Sequence, residues 1–138
     1  MHRVLFVCIG NSCRSQMAEG FARAYGSDVM IAASAGVAPA LVVAADTRRA
    51  MKEKNISLED HFPKALQQLA NAHFDLIINM SGVELQQDIG APVRTWKVRD
   101  PIGTRYDVHC NVRDEIERLV MDLILELRRD VSRPSLAT

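Results

Sequence analysis

The chain has 138 residues, which is enough for one domain with a single hydrophobic core. Lysine plus arginine and aspartate plus glutamate number 17 each, so we expect neither a nucleic-acid-binding nor a membrane-binding surface. No apolar run approaches the roughly 18 residues of a membrane span, and the first predicted strand starts too early for a signal peptide. Three cysteines are too few for a disulfide scaffold, so we expect a cytoplasmic protein.

The N-terminal stretch predicts a strand, a tight loop and a helix in succession. Residues 4–7 are apolar, with β-branched and aromatic side chains, as in a buried strand. Small or turn-prone residues follow up to Cys13, and apolar residues recur at helical spacing from Ser15 onwards. Loop amides and the first helical N–H groups lack backbone partners, and the helix dipole favours negative charge. The stretch therefore predicts an anion-binding site.

Two residues give this predicted site a chemistry. Cys8 ends the strand, close to the helix N-terminus and to Arg14, and both of these favour a thiolate. Arg14 offers a planar fork of donors for two oxygens of a tetrahedral oxyanion. Ser15 is placed to donate to the thiolate, and Asn11 tolerates the left-handed backbone of such a loop. Alone, such a cysteine is usually a small core residue, but the combination indicates a nucleophile that attacks a bound phosphate-like group.

The rest of the chain alternates predicted strands and helices. Predicted strands cover residues 29–33, 74–80 and 93–98. Predicted helices cover about 47–54, about 63–70, about 83–87 and about 112–129. This βαβαβαβα pattern predicts a three-layer α/β fold, in which a parallel sheet of strand order 2-1-3-4 has helices on both faces. We expect one catalytic domain over residues 1–130 and a flexible tail over residues 131–138.

Asp100-Pro101 follows the last predicted strand. Parallel strands end at one edge of the sheet, so Asp100 is expected to face Cys8 across the ligand pocket. A carboxyl group beside a thiolate and a phosphoryl group favours its protonated form, because like charges disfavour ionisation. Asp100 is then suited to protonate a leaving oxygen and afterwards to activate water. The alternative is that Asp100 only caps its turn.

The sequence from Cys8 to Ser15 resembles the phosphate loop of low-molecular-weight protein tyrosine phosphatases and of the arsenate reductases that share their fold. The resemblance continues at residues 17–19, 34–36, 55–61, 75–79 and 100–101, and so covers nearly the whole chain. It implies a flavodoxin-like fold of the phosphotyrosine phosphatase I type. The four histidines are scattered and none lies at ligand spacing from a cysteine or another histidine, so we expect no metal site, and we expect no cofactor. The resemblance also implies that Cys8, Arg14 and Asp100 are catalytic. The residues that it implies for binding the oxyanion are Ile9, Gly10, Asn11, Ser12, Cys13, Arg14 and Ser15.

The same resemblance implies two supporting residues outside the loop. It gives Ser34 a hydrogen bond to Asn11, although a turn serine that bonds to its own backbone is an equal alternative. His61 falls where the family usually has a histidine, and we interpret it as structural.

Two reactions fit the resemblance. In the first, Cys8 attacks a phosphate monoester, with phosphotyrosine proteins among the candidate substrates. In the second, Cys8 attacks arsenate, and a further thiol reduces the arsenic. Gln16, where the phosphatases usually have proline, favours the reductase. Met80 stands where thioredoxin-coupled reductases carry a resolving cysteine, so a reductase would need Cys13, Cys110 or an external thiol.

The hydrolase is the favoured prediction, because all the residues it needs are present. An oxyanion-binding module without turnover is a third reading. A reversible Cys8–Cys13 disulfide that protects the nucleophile from over-oxidation is a separate hypothesis.

Overall fold

The computed structural model describes residues 1–69, 71–86 and 89–132. The elements, in chain order, are strand β1 (His2–Cys8), helix α1 (Arg14–Tyr25), strand β2 (Met30–Gly36), helix α2 (Ala45–Lys52), a 3₁₀ helix (Leu66–Leu69), strand β3 (Leu76–Asn79), strand β4 (Val93–Thr95) and helix α3 (Tyr106–Ser132).

The four strands form one parallel sheet of order β2-β1-β3-β4, which confirms the predicted order 2-1-3-4. β1 is central, with Val7 paired to Ala35 on one side and to Asn79 on the other. Its last five residues are all buried, as expected for a parallel strand covered on both faces. Cys8 consequently lies at the carboxyl edge of the sheet, where open α/β sheets bind ligands.

Alternate residues of β1 enter two different cores. Val4 and Phe6 pack in the larger core, which is built on α1, α2 and α3. Leu5 and Val7 pack in a smaller core on the other face, under the 3₁₀ helix. The predicted three layers are therefore present, but the second face is covered by a single 3₁₀ turn and loops of the described chain rather than by α-helices.

Two predicted helices are wrong where the structure describes them. The helix predicted at about 63–70 is a single 3₁₀ turn, Leu66–Leu69, because the i, i+3 spacing of its leucines suits either helix. Residues 83–86 are not helical. Asn79 donates to the carbonyl oxygen of Val83 at 2.8 Å, and these short-range bonds compete with helix formation. Ala70 and Gln87, the predicted ends, lie outside the described residues.

The long C-terminal helix begins earlier and ends later than predicted. α3 starts at Tyr106 and continues to Ser132, so residues 131 and 132 of the predicted tail are helical. Residues 133–138 lie outside the described part of the chain. β4 ends at Thr95, three residues before the predicted end of the strand.

Two searches of the described residues give negative results. None of their helices combines the length and the apolar character needed to cross a membrane. No group of three or more histidine, cysteine, aspartate or glutamate side chains within 1–69, 71–86 and 89–132 is arranged to hold a metal ion.

Candidate active site

The loop between β1 and α1 is held from outside by the segment that follows β2. Four loop carbonyl oxygens accept hydrogen bonds from amides of that segment, in the pairs Val37–Cys8 at 3.1 Å, Ala38–Ile9 at 2.9 Å, Ala40–Gly10 at 2.9 Å and Ala44–Ser12 at 3.0 Å. No described residue accepts a hydrogen bond from the backbone amides of residues 9–13. The carbonyl oxygens of the loop are therefore bonded within the protein, and its amide N–H groups are left to bind an anion.

Two backbone features let the loop make this turn. Asn11 has φ of 49°, in the left-handed region that asparagine tolerates better than most residues. Gly36, at the end of β2, leaves room for the loop. A Cβ atom on Gly36 would lie 2.6 Å from the carbonyl oxygen of Ile9 and 2.9 Å from the amide nitrogen of Asn11. Gly36 is therefore required by the close approach of two backbones.

Ser15 is aimed at the sulfur of Cys8. Cys8 Sγ lies 2.9 Å from Ser15 Oγ, and Asn11 Nδ2 donates to the same hydroxyl oxygen at 2.7 Å. The orientation of the Asn11 amide is fixed because its Oδ1 accepts from the Lys64 amide at 2.9 Å. Since Asn11 donates to Ser15, the Ser15 proton is directed at Cys8. A donor in this position stabilises the thiolate relative to the thiol.

Sequence reasoning missed a second layer of support behind Asn11. Gln16, which is fully buried, donates from Nε2 to the carbonyl oxygen of Asn11 at 3.1 Å and to that of Phe62 at 3.1 Å. His61 Nδ1 lies 2.8 Å from Gln16 Oε1 and donates to it, because an amide oxygen only accepts. Burial lowers the pKa of His61, so its neutral form is favoured. The side chain of His61 is 11% exposed and belongs to this network, and the resemblance was its only signal in the sequence.

The implied hydrogen bond from Ser34 to Asn11 is wrong. Ser34 Oγ donates instead to Glu19 Oε1 at 2.6 Å, and the other oxygen of this buried carboxylate pairs with Arg23 at 3.0 Å. The physical reason is that Asn11 Oδ1 is already occupied by the Lys64 amide, whereas the Glu19 carboxylate is a stronger acceptor. Ser34 therefore fixes α1 to β2 rather than the loop itself.

Arg14 is buried and held at two strand ends. Its Nη1 donates to the carbonyl oxygen of Met80 at 2.5 Å and to that of Val98 at 3.1 Å. These two bonds use both protons of Nη1 and leave those of Nη2 and Nε for a ligand. Nη2 lies 3.6 Å from Asp100 Oδ2, so the guanidinium connects the loop between β1 and α1 to the loop that carries Asp100.

Asp100 has one fixed oxygen and one oxygen that faces Arg14. Its Oδ1 accepts from the Ile102 amide at 3.0 Å, and its side chain is 48% exposed. Asp100 therefore caps its turn, as the alternative prediction had it, and it also lies at the same cavity as Cys8, as predicted. Capping by Oδ1 orients the carboxyl group and leaves Oδ2 available for proton transfer.

These residues enclose one cavity of about 200 Å³ at the carboxyl edge of β1. The residues that line it are Cys8, Ile9, Gly10, Ser12, Cys13, Arg14, Ala40, Asp100 and Ile102. The cavity thus brings together the predicted nucleophile, the predicted cationic donor and the predicted acid. Asn11 and Ser15 stand behind its wall as supports.

The structure offers no ready second thiol for Cys8 in the described chain. All three cysteines are free. Burial raises the pKa of Cys13 to about 12, so it is a neutral thiol at physiological pH. Cys110 lies on α3, where its Sγ is 3.5 Å from Glu53 Oε2, and it does not line the cavity. Met80 is buried in the core, and it has no thiol to exchange.

Residues 3–133 match the model of a family described as low molecular weight phosphotyrosine protein phosphatase. The glutaredoxin arsenate reductase of Synechocystis sp. is 29% identical over 134 residues, which is 92% of this chain and 99% of that protein.

Among solved structures, an arsenate reductase in the phosphate-binding state has a TM-score of 0.84 at 30% identity and covers 92% of this chain and 99% of that one. A cysteine-to-serine variant of the YwlE arginine phosphatase, with a phosphorylated active-site serine, has a TM-score of 0.80 at 26% identity. The match covers 93% of this chain and 97% of that one.

Proposed function

Because the chain belongs to the low-molecular-weight phosphotyrosine protein phosphatase family, we propose that it hydrolyses phosphate monoesters through a thiophosphate intermediate on Cys8. The observation that carries the proposal is the single cavity lined by Cys8, Arg14 and Asp100, with the Ser15 hydroxyl 2.9 Å from the sulfur. Residues 1–130 act as one catalytic domain in this proposal. The three free thiols of the chain suit a reducing compartment such as the cytoplasm.

In the first step, the Cys8 thiolate attacks phosphorus in line with the leaving oxygen. The S–P bond forms as the P–O bond breaks, and the protonated Asp100 gives its proton to the leaving oxygen. The loop amides of residues 9–13 and the free donors of Arg14 bind the three non-reacting oxygens. Because they are already in place, these donors stabilise the charge of the transition state without reorganisation.

In the second step, water displaces sulfur. Asp100, now ionised, accepts a proton from the water as it attacks phosphorus, and the S–P bond breaks. Ser15 stabilises the leaving Cys8 thiolate by its hydrogen bond. Phosphate is released, and Asp100 is again protonated for the next cycle.

Arsenate reduction is the second candidate, because arsenate reductases are among the relatives and structural neighbours. Arsenate has the same tetrahedral shape and charge as phosphate, so the loop donors suit both. Reduction needs a second thiol that attacks the Cys8 sulfur of the Cys8–arsenic adduct. A disulfide then forms, the S–As bond breaks, and its electron pair reduces arsenic(V) to arsenic(III). With Met80 in place of a thiol, and Cys13 neutral and buried, that thiol would come from outside the chain.

Hydrolysis of a simple aryl phosphate tests the first proposal. We expect turnover by the native chain, a loss of at least about 10⁴-fold in Cys8→Ser, and native-like turnover in the matched control Cys110→Ser. Trapping the intermediate by rapid acid quench should place one phosphate on the peptide that contains Cys8.

Negligible hydrolysis by the native chain would contradict the proposal. Arsenite formation from arsenate with an excess of a small thiol would then be the decisive assay. Reduction that disappears in Cys8→Ser and persists in Cys110→Ser would establish the second candidate.

A further inference from the structure

A second and larger space opens beside the active-site cavity and shares Arg14 with it. This groove has a volume of about 880 Å³, against about 200 Å³ for the cavity. Its walls are β4 with the segment that continues it, and the segment that follows β3. Oxyanion chemistry at Cys8 uses only the cavity, so the groove is available for the remainder of a large substrate.

The groove carries two cations that have no partner among the described residues. Lys97 and Arg99 are exposed, Val98 between them is buried, and all three line the groove. Neither forms an ion pair or a side-chain hydrogen bond with any residue of 1–69, 71–86 or 89–132. By contrast, Arg94 on the same strand is paired with Glu126 at 3.0 Å.

Lys97 and Arg99 are two residues apart in the sequence, a spacing that suits alternate side chains of an extended peptide. Residues two apart on an extended segment are separated by about 7 Å, and acidic side chains two apart on a bound peptide have the same separation. The groove also contains the exposed carboxylate of Glu84, which is an acceptor for the N–H groups of a peptide backbone and disfavours acidic side chains at its own wall, so the acidic side chains are placed at the wall of Lys97 and Arg99. The overall net charge is zero, so the unpaired cations are a local feature.

We propose that this groove binds an acidic, extended segment of a phosphorylated polypeptide, with acidic side chains two residues apart opposite Lys97 and Arg99. The phosphorylated side chain then enters the cavity at Cys8, on the other side of the Arg14 guanidinium. The inference rests on the proposed hydrolase function and identifies its substrate as a polypeptide with acidic residues beside the phosphorylated one.

The protein supplies its own probe for a binding test. Trp96 is the only tryptophan in the chain, and it lines the groove. Tryptophan fluorescence is followed during titration with a peptide that carries two glutamates two residues apart, and with the same peptide carrying glutamine instead. Inorganic phosphate is present to fill the cavity. We expect the glutamate peptide to bind roughly three- to tenfold more tightly, and the advantage to shrink in about 1 M salt.

Paired variants identify the residues responsible. We expect the Lys97→Gln and Arg99→Gln double variant to bind the two peptides with nearly equal affinity. The control double variant, Lys52→Gln with Arg118→Gln, removes two exposed cations elsewhere and should keep the preference. Equal binding of both peptides by the native chain would overturn the inference, and so would a preference that survives in the Lys97 and Arg99 variant.

Failure of the inference and failure of the proposed function have different signatures. Aryl phosphate hydrolysis without any peptide preference would overturn the inference alone. A preference for the acidic peptide that depends on Lys97 and Arg99, without hydrolysis of any phosphate monoester, would overturn the proposed function and leave the peptide groove in place.

Discussion

The two loops that meet at the active-site cavity are held in very different ways. The phosphate loop, residues 9–13, is buried or partly buried, and its conformation is fixed by bonds from several directions. Four backbone amides hold its carbonyl oxygens, and Asn11 is held by the side chain of Gln16 and the amide of Lys64. The loop with Asp100 is exposed except at Pro101 and has fewer constraints. These are the capping bond from the Ile102 amide, the bonds from Thr104 to the Pro101 carbonyl oxygen, and the contact with Arg14.

This difference separates two requirements of the reaction. A nucleophile and its anion donors act well only if they are in place before the substrate arrives, because reorganisation costs energy in the transition state. An acid that must first donate and then accept a proton needs access to both the leaving group and water. In the proposed reactions, the constrained loop binds the oxyanion common to phosphate and arsenate, and we expect the exposed loop to distinguish leaving groups.

Replacement of Asp100 by asparagine should have the largest effect on turnover beyond that of the nucleophile itself. Asparagine keeps the acceptor for the Ile102 amide but cannot transfer a proton, so kcat should fall by about 10²–10⁴-fold with the melting temperature unchanged. The fall should be greatest for alkyl phosphates, whose leaving oxygens most need protonation. Asp122→Asn, on an exposed position of α3, is the matched control. An unchanged kcat would mean that Asp100 only caps its turn.

Ser15→Ala tests the constrained loop at its connection to the nucleophile. The change removes the donor to Cys8 and leaves Asn11 Nδ2 without its acceptor. Both kcat and the rate of Cys8 alkylation at neutral pH should fall about 10- to 100-fold, the value of a hydrogen bond to a charged group. Ser57→Ala, at an exposed position, should alter neither rate. If Cys8 were alkylated at the native rate in Ser15→Ala, the serine would have no influence on the thiolate.

Gly36→Ala tests whether the constrained loop depends on its close approach to β2. The added Cβ would meet two backbone atoms, of Ile9 and Asn11, and backbone cannot move aside as a side-chain tip can. We expect a loss of roughly 1–3 kcal/mol in the free energy of unfolding, measured by urea denaturation. In Gly10→Ala the nearest atom is the Ser12 hydroxyl oxygen at 3.3 Å, so the loss should be smaller. Equal losses in the two variants would contradict this explanation.

Local patterns predicted the sheet better than they predicted its covering. β1 and β3 are short apolar runs bounded by turn residues, and a parallel sheet follows from the alternation of strands with long connections. The covering of the second face was not predictable in this way. Spacing of three between leucines fits an α-helix and a 3₁₀ turn equally, and the bonds from Asn79 to the segment after β3 depend on the folded geometry.

The active-site residues divide along the same line. Cys8, Arg14 and Ser15 lie within eight residues, so a strand–loop–helix pattern is enough to bring them together. The bond between Lys64 and Asn11 joins residues 53 positions apart, and that between His61 and Gln16 joins residues 45 apart. Such contacts are set by the packing of connections over the loop. Ser34 is a further example: the resemblance implied a hydrogen bond to Asn11, whereas in the structure Ser34 donates to Glu19.

His61 gives the smallest of the expected effects. Burial lowers the pKa of His61 in the folded chain, and the charge of Glu19 partly opposes this effect. The pKa of His61 is therefore lower in the folded chain than in the unfolded chain, where it is 6.5. Between these two pKa values, the unfolded chain binds the proton more readily than the folded chain does. Stability is therefore fully present above 6.5 and is lost as the pH falls through that value towards the lower folded pKa. The melting temperature should fall between about pH 7.5 and about pH 5.5, and His61→Gln should reduce this fall by a few degrees at most. The control His73→Gln changes an exposed histidine and should leave the contribution of His61 to this fall unchanged. An identical pH dependence in His61→Gln and the native chain would mean that the support behind Asn11 does not respond to His61 protonation.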